Sequence, residues 1–92
     1  MIKLMVEHKV KDFSSWKKVF DERADMMTKY GGSNFTVGRD QSDKNDVHII
    51  GDFQSKKNFD DMWKSNELKN ALKDSGVTSE PKITYLDEKA RG

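Results

Sequence analysis

At Asp12 the apolar period of this chain changes abruptly. Before it, Ile2, Leu4, Val6, His8 and Val10 fall on alternate positions, with Lys3, Glu7 and Lys9 between them. A period of two predicts a strand with one buried face. After it, Phe13, Trp16, Phe20, Ala24 and Met27 recur at spacings of three and four, the stripe of an amphipathic helix. Asp12 stands at the N-cap, where its carboxylate can accept from the free amides of the first turn. Tyr30 extends the stripe, and Gly31-Gly32 end it by allowing positive φ without steric cost. A strand feeding directly into a helix that must bury one face calls for a layered α+β arrangement.

The remainder of the chain repeats that logic. Phe35, Val37 and Arg39 predict a second strand, residues 42–46 a polar turn, and Val47 to Phe53 a third strand paired with it as a hairpin. Ser55 can cap a helix that buries Phe59 and one or both of Met62 and Trp63. A break at Ser65 starts a short continuation carrying Leu68, Ala71 and Leu72, and Gly76 stops it. Ile83 and Tyr85 mark the last strand. The order β-α-β-β-α-β over a single domain, 1–92, is that of a ferredoxin-like plait of the α+β class.

Such a plait covers one sheet face with helices. On the predicted strands that face carries Leu4, Val6, His8, Val37, Ile49, Phe53, Ile83 and Tyr85. The opposite face carries Met5, Glu7, Thr36, His48, Ile50, Asp52, Thr84 and Leu86, a mixture too apolar for water and too polar for an ordinary core. Hydrophobic residues make up 34% of this short chain and charged ones 36%, so a lone copy buries little. Packing of the open face against a second copy would supply the missing burial, which predicts a homodimer.

With no cysteine, thiolate zinc sites, disulfides and thiol catalysis are excluded. No apolar run approaches the roughly 20 residues that span a bilayer, and no signal-peptide pattern opens the chain, so a cytoplasmic location without membrane association is expected. Seventeen basic and sixteen acidic residues are interleaved, unlike the basic footprint of a nucleic-acid binder. An RNA-recognition plait would stack bases on aromatics of strands one and three. Met5, Glu7, His48, Ile50 and Asp52 stand there instead. Acylphosphatase-like chemistry needs a phosphate-cradling loop, and Lys11-Asp12-Phe13 has no glycine to form one. The tail 87–92 is polar and is expected to fray.

Three stretches carry a resemblance. They are Val6-Glu7-His8-Lys9-Val10 followed by Asp12-Phe13-Ser14-Ser15-Trp16, the break Lys64-Ser65-Asn66-Glu67-Leu68, and the ending Ser75-Gly76-Val77 with Pro81 and Ile83. Over nearly its whole length the chain resembles the dimeric α/β-barrel superfamily that includes the antibiotic-biosynthesis-monooxygenase-like proteins, with Asn66 in place of that family's proline. The resemblance implies two plaits closing their sheets into a barrel, and a pocket in each subunit between helices and sheet. It implies cofactor-independent oxygenation of an aromatic or polyketide-like compound, or alternatively a non-catalytic dimeric ligand-binding or stress-associated protein. Haem-degrading members use a strand-one asparagine and a helix-two tryptophan and histidine. Here Val6-Glu7, an offset Trp63 and Leu72 stand near those positions, which argues against haem degradation. The expected partners are a second copy and a small aromatic ligand, and no cofactor is implied.

His8 is the catalytic candidate. It interrupts an apolar face near the end of its strand and could serve as a base toward an acidic phenol or enol; a histidine hydrogen-bonded at the mouth of the core is the alternative. Trp16, Tyr30, Trp63 and Tyr85 could line a flat aromatic pocket or be plain core. His48, Glu7 and Asp52 share the open face without a ligand-spacing motif, so no metal is expected.

Overall fold

The structure, a computed structural model, describes residues 2–87. The alternating segment is β1 (Ile2–Lys9), which runs antiparallel to both of its neighbours. On one side Leu4, Val6 and His8 face Gly51, Ile49 and Val47 of β3 (Asp46–Phe53). On the other, Leu4 and Val6 face Tyr85 and Ile83 of β4 (Lys82–Leu86). With β2 (Gly32–Arg39) beyond β3, the sheet order is β2-β3-β1-β4. This is the ferredoxin-like arrangement, and its register sorts the side chains onto the two faces that the alternation predicts. The predicted fraying of the tail falls mainly on residues 88–92, outside the described residues.

Three of the four helical segments start on a side-chain cap, and α2 (Ala24–Lys29) is the exception. Asp12 Oδ2 accepts from the Ser15 amide at 2.9 Å and opens α1 (Phe13–Glu22), while Ser55 Oγ accepts from Asn58 at 3.1 Å and opens α3 (Lys56–Lys64). Ser65 ends α3 and starts α4 (Asn66–Asp74) with one hydroxyl, accepting from Leu68 N at 3.2 Å and donating to Met62 O at 2.6 Å. Ser65→Ala is expected to lose about 1 kcal/mol in a urea melt, and Ser65→Asp to recover part of it. An unchanged midpoint in Ser65→Ala would mean that packing alone sets the break.

The first helical segment departs from its sequence reading in one respect. The stripe predicts one helix to Tyr30, whereas the structure breaks it at Arg23 (φ −103°, ψ 11°) and resumes as α2 (Ala24–Lys29). The turn brings Met26 and Met27 into the core together. The break re-aims the axis of α2, so that both side chains are buried although the stripe of α1 continues only through Met27.

A second irregularity lies in β2. The pairing slips between Ser33 and Thr36, and Asn34 adopts φ 56°, a left-handed conformation that asparagine tolerates. Phe35, on the same parity as Val37, faces the helix side next to the bulge. Its ring lies flat over Gly51, where a Cβ would sit 2.3 Å from Phe35 Cδ1. Rings then touch in sequence across the molecule: Trp16–Phe20 (5.1 Å between centroids), Phe20–Phe35 (6.3 Å), Phe35–Phe53 (5.9 Å), Phe53–Phe59 (5.2 Å) and Phe59–Trp63 (5.5 Å). This row joins α1 to α3 across the sheet and forms the wall of the site.

Candidate active site

Between the four helical segments and the sheet lies a cavity of about 90 Å³. Trp16, Phe20, Phe35, Phe53, Phe59 and Trp63 supply its aromatic wall, and aliphatic and methionine side chains from β1, α2 and α3 fill the gaps. Among the described residues, and apart from the two indoles, His8, Arg23 and Ser75 bring polar side chains to it. β2 delivers Phe35 to the wall, and the α1–α2 break delivers Arg23 to the rim.

His8 sits on β1 opposite Val47 and is only 4% exposed. The indole of Trp16 meets its ring edge-on, with centroids 5.6 Å apart. Neither Nδ1 nor Nε2 has a hydrogen-bond partner among the described residues. Burial pushes its pKa below the ordinary histidine value, and the negative charge of Asp46 opposes that shift without overcoming it. At pH 7 the ring is therefore neutral, with one N–H donor and one acceptor lone pair.

The other two polar side chains are already engaged. Ser75 is buried, and its hydroxyl donates to Leu72 O at 3.2 Å. Arg23 Nη2 donates to Asp74 Oδ2 at 2.8 Å, tying the α1–α2 junction to the end of α4. That pair is partly exposed, so it contributes little stability, yet it spans the seam above the cavity. Lys29–Glu67 (3.0 Å) spans the same seam about two helical turns away, at the start of α4.

Of the residues singled out from sequence, His8, Trp16 and Trp63 come together on the cavity wall. Tyr30 and Tyr85 stand outside it. Tyr30 packs against the margin of the core. Tyr85 lies on the edge strand, 43% exposed, with its hydroxyl donating to Asp60 Oδ1 at 2.8 Å and Lys56 Nζ 5.0 Å from its ring centroid. Alternation places Tyr85 on the helix-covered face, and its ring does meet Phe59 of α3 edge to face at 5.9 Å, but α3 covers it only in part and keeps it out of the cavity. Phe35, Met26, Arg23 and Ser75 were not read as site residues. Gly51 was the available signal, since a glycine inside a strand often marks a close approach. On the open face Asp52 bonds Lys3 (3.0 Å) and Asn34 (3.1 Å), away from the predicted grouping with Glu7 and His48.

An antiparallel sheet of this order, with broken helix pairs enclosing an apolar cavity on one face, defines the fold of the dimeric α/β barrels. More particularly, it is the fold of the antibiotic biosynthesis monooxygenase structures. A candidate antibiotic biosynthesis monooxygenase from Bordetella bronchiseptica superposes with a TM-score of 0.81 at 11% identity, covering 95% of each chain. Another from Caulobacter crescentus gives 0.75 at 18%, covering 95% of this chain and 88% of that one. SnoaB, a cofactor-independent oxygenase from Streptomyces nogalater, gives 0.73 at 14%, covering 95% and 93%. No family model matches the sequence, and no curated protein does. At these identities the likeness is one of fold. Among the described residues no helix is long and apolar enough to cross a membrane.

Proposed function

We propose that this chain is a homodimeric small-molecule oxygenase of the cofactor-independent kind, acting on a substrate that carries an acidic hydroxyl on an aromatic ring. One observation carries this reading: a buried, neutral imidazole whose nitrogens have no partner among the described residues, in a largely apolar cavity whose Arg23 and Ser75 are engaged elsewhere. An unpartnered buried polar group costs stability, and a substrate hydroxyl would offset that cost. His8 takes the hydroxyl proton, and the aromatic wall holds the resulting enolate flat. The enolate carbon gives its electron pair to dioxygen and forms a peroxide. The proton held by His8 passes to the peroxide, and loss of water with the ring hydrogen leaves a second carbonyl, so the phenol and O₂ become a quinone and H₂O. The similarity to SnoaB's fold supports this direction.

Size narrows the substrate. A cavity of about 150 Å³ is known to hold benzene, whereas this one is about 90 Å³. Being smaller, it takes even a single ring only when the seam between α2 and α4 opens or the wall gives way. The second copy would pack on the open face, where Leu86 is 38% exposed.

A second reading keeps the cavity and removes the chemistry. It draws on one feature of His8: no carboxylate holds either nitrogen, unlike a base oriented by a third group. Native mass spectrometry and oxygen uptake with a panel of single-ring phenols and hydroquinones separate the two. The oxygenase reading predicts a dimer, oxygen consumption, and a product with one oxygen more and two hydrogens fewer. Binding without product selects the non-catalytic reading, and a monomer at micromolar concentration overturns the barrel.

A further inference from the structure

On the sheet face turned away from the helices, Glu7, Asp46 and His48 bring three ligand atoms within 4.8 Å of one another. Cross-strand pairing sets Glu7 beside His48, and Asp46 lies two residues earlier on the same face of β3. His48 Nε2 is 3.7 Å from Glu7 Oε2 and 3.8 Å from Asp46 Oδ1. Both separations are too long for hydrogen bonds. Asp46 is mostly buried, and its Oδ1 is fully shielded without accepting a hydrogen bond. The backbone beneath it is pinned at both ends of the peptide unit, its N–H donating to Asp43 O and its carbonyl accepting from Asp40 N, each at 3.0 Å. Two carboxylates thus crowd one imidazole, and their ion pairs are with that ring. Beside the ring there is room. Gly38 pairs with His48, and a Cβ built on it meets nothing within 4 Å.

We propose that Glu7, Asp46 and His48 bind a divalent transition-metal ion of the zinc class. Zinc bonds to nitrogen and oxygen of about 2.0–2.2 Å place tetrahedral ligand atoms about 3.4 Å apart. Each carboxylate oxygen needs to close on the imidazole nitrogen by only a few tenths of an ångström, and all three ligand atoms already lie within 4.8 Å of one another. The ion would satisfy the shielded Asp46 oxygen and cancel the repulsion between the carboxylates. An imidazole in the set disfavours magnesium and calcium, which take all-oxygen ligation. The space beside Gly38 leaves further positions for water. This site is separate from the His8 cavity and does not rest on the proposed oxygenation. It differs from the expectation of no metal because the sequence grouped His48 and Glu7 with Asp52, and the register supplies Asp46 instead.

Zinc titrated calorimetrically into the metal-stripped full chain tests it, with magnesium as the control ion. The expected result is one saturable zinc site per chain, weakened at least tenfold in His48→Ala and in Asp46→Asn. Glu7→Gln, at a part-exposed position, should do the same while leaving the circular dichroism spectrum unchanged, which guards against misfolded variants. Asp61→Asn on the exposed face of α3 should bind as the parent does. Absence of saturable zinc binding, equal affinity for magnesium, or affinity indifferent to all three ligand substitutions overturns the site.

Discussion

Phe53→Ala is expected to destabilise the chain so far that a large part of the population is unfolded at 25 °C. Phe53 is 2% exposed and is the largest of the fully buried side chains. Its ring meets Phe35 and Phe59 edge to face, and a Cβ on Gly32 would lie 2.9 Å from its Cζ. The ring is therefore gripped from β2, α3 and the sheet at once. Truncating such a residue costs about 3–5 kcal/mol, because the surroundings collapse only partly into the space left. Domains of this size have little beyond the lower end of the usual ~5–15 kcal/mol in total. Equilibrium urea unfolding followed by circular dichroism reads the difference directly. A loss below about 1.5 kcal/mol would show that the aromatic row fills space without holding sheet and helices together.

That row also shows how far the sequence could be read. Its members were visible one at a time as stripes and alternations, since period and caps are local properties. Asp12, Ser55 and Ser65 mark their helices because a side-chain oxygen three residues before an amide is a short-range fact. The seating of Phe35 on Gly51 is a long-range one. Parity with Val37 puts Phe35 on the helix side, but no period in either strand reports that its ring will rest on the one glycine opposite. The break at Arg23 was hidden for a similar reason. No proline or glycine marks it, and the burial of both Met26 and Met27 against distant strands decides it.

The candidate site divides along the same line. His8 was legible because a titratable group replaced an aliphatic one in a strict alternation. Its lack of partners was not legible, since that depends on everything packed around it. Tyr85 has the right parity but lies on a five-residue edge strand, where parity does not guarantee cover. On the open face, parity grouped Asp52 with His48. Asn34, displaced by the bulge, and Lys3 draw Asp52 away.

Replacing His8 by leucine is expected to stabilise the protein while abolishing its activity, the reverse of what a structural histidine would do. The buried imidazole nitrogens lack partners, a cost of about 1–3 kcal/mol that leucine removes. Against this stands the edge-on contact with Trp16, worth about 0.5–1.5 kcal/mol. The balance is a gain of about 1 kcal/mol at neutral pH. Acid should widen it. The folded-state pKa of His8 is lowered from 6.5 by burial, with Asp46 as the opposing charge. As the pH falls through 6.5, the unfolded chain takes up a proton that the folded chain refuses, so the parent loses stability across that window. His8→Leu lacks this loss, and its melting temperature should change less than the parent's between pH 7.5 and 5.5. Turnover of whichever phenol the parent oxidises should fall by about 10²–10⁴-fold, the usual contribution of a positioned base. A variant that is less stable than the parent at both pH values would mean that the imidazole supports the fold. A stable variant with full turnover would remove His8 from the chemistry and leave the apolar walls to explain it.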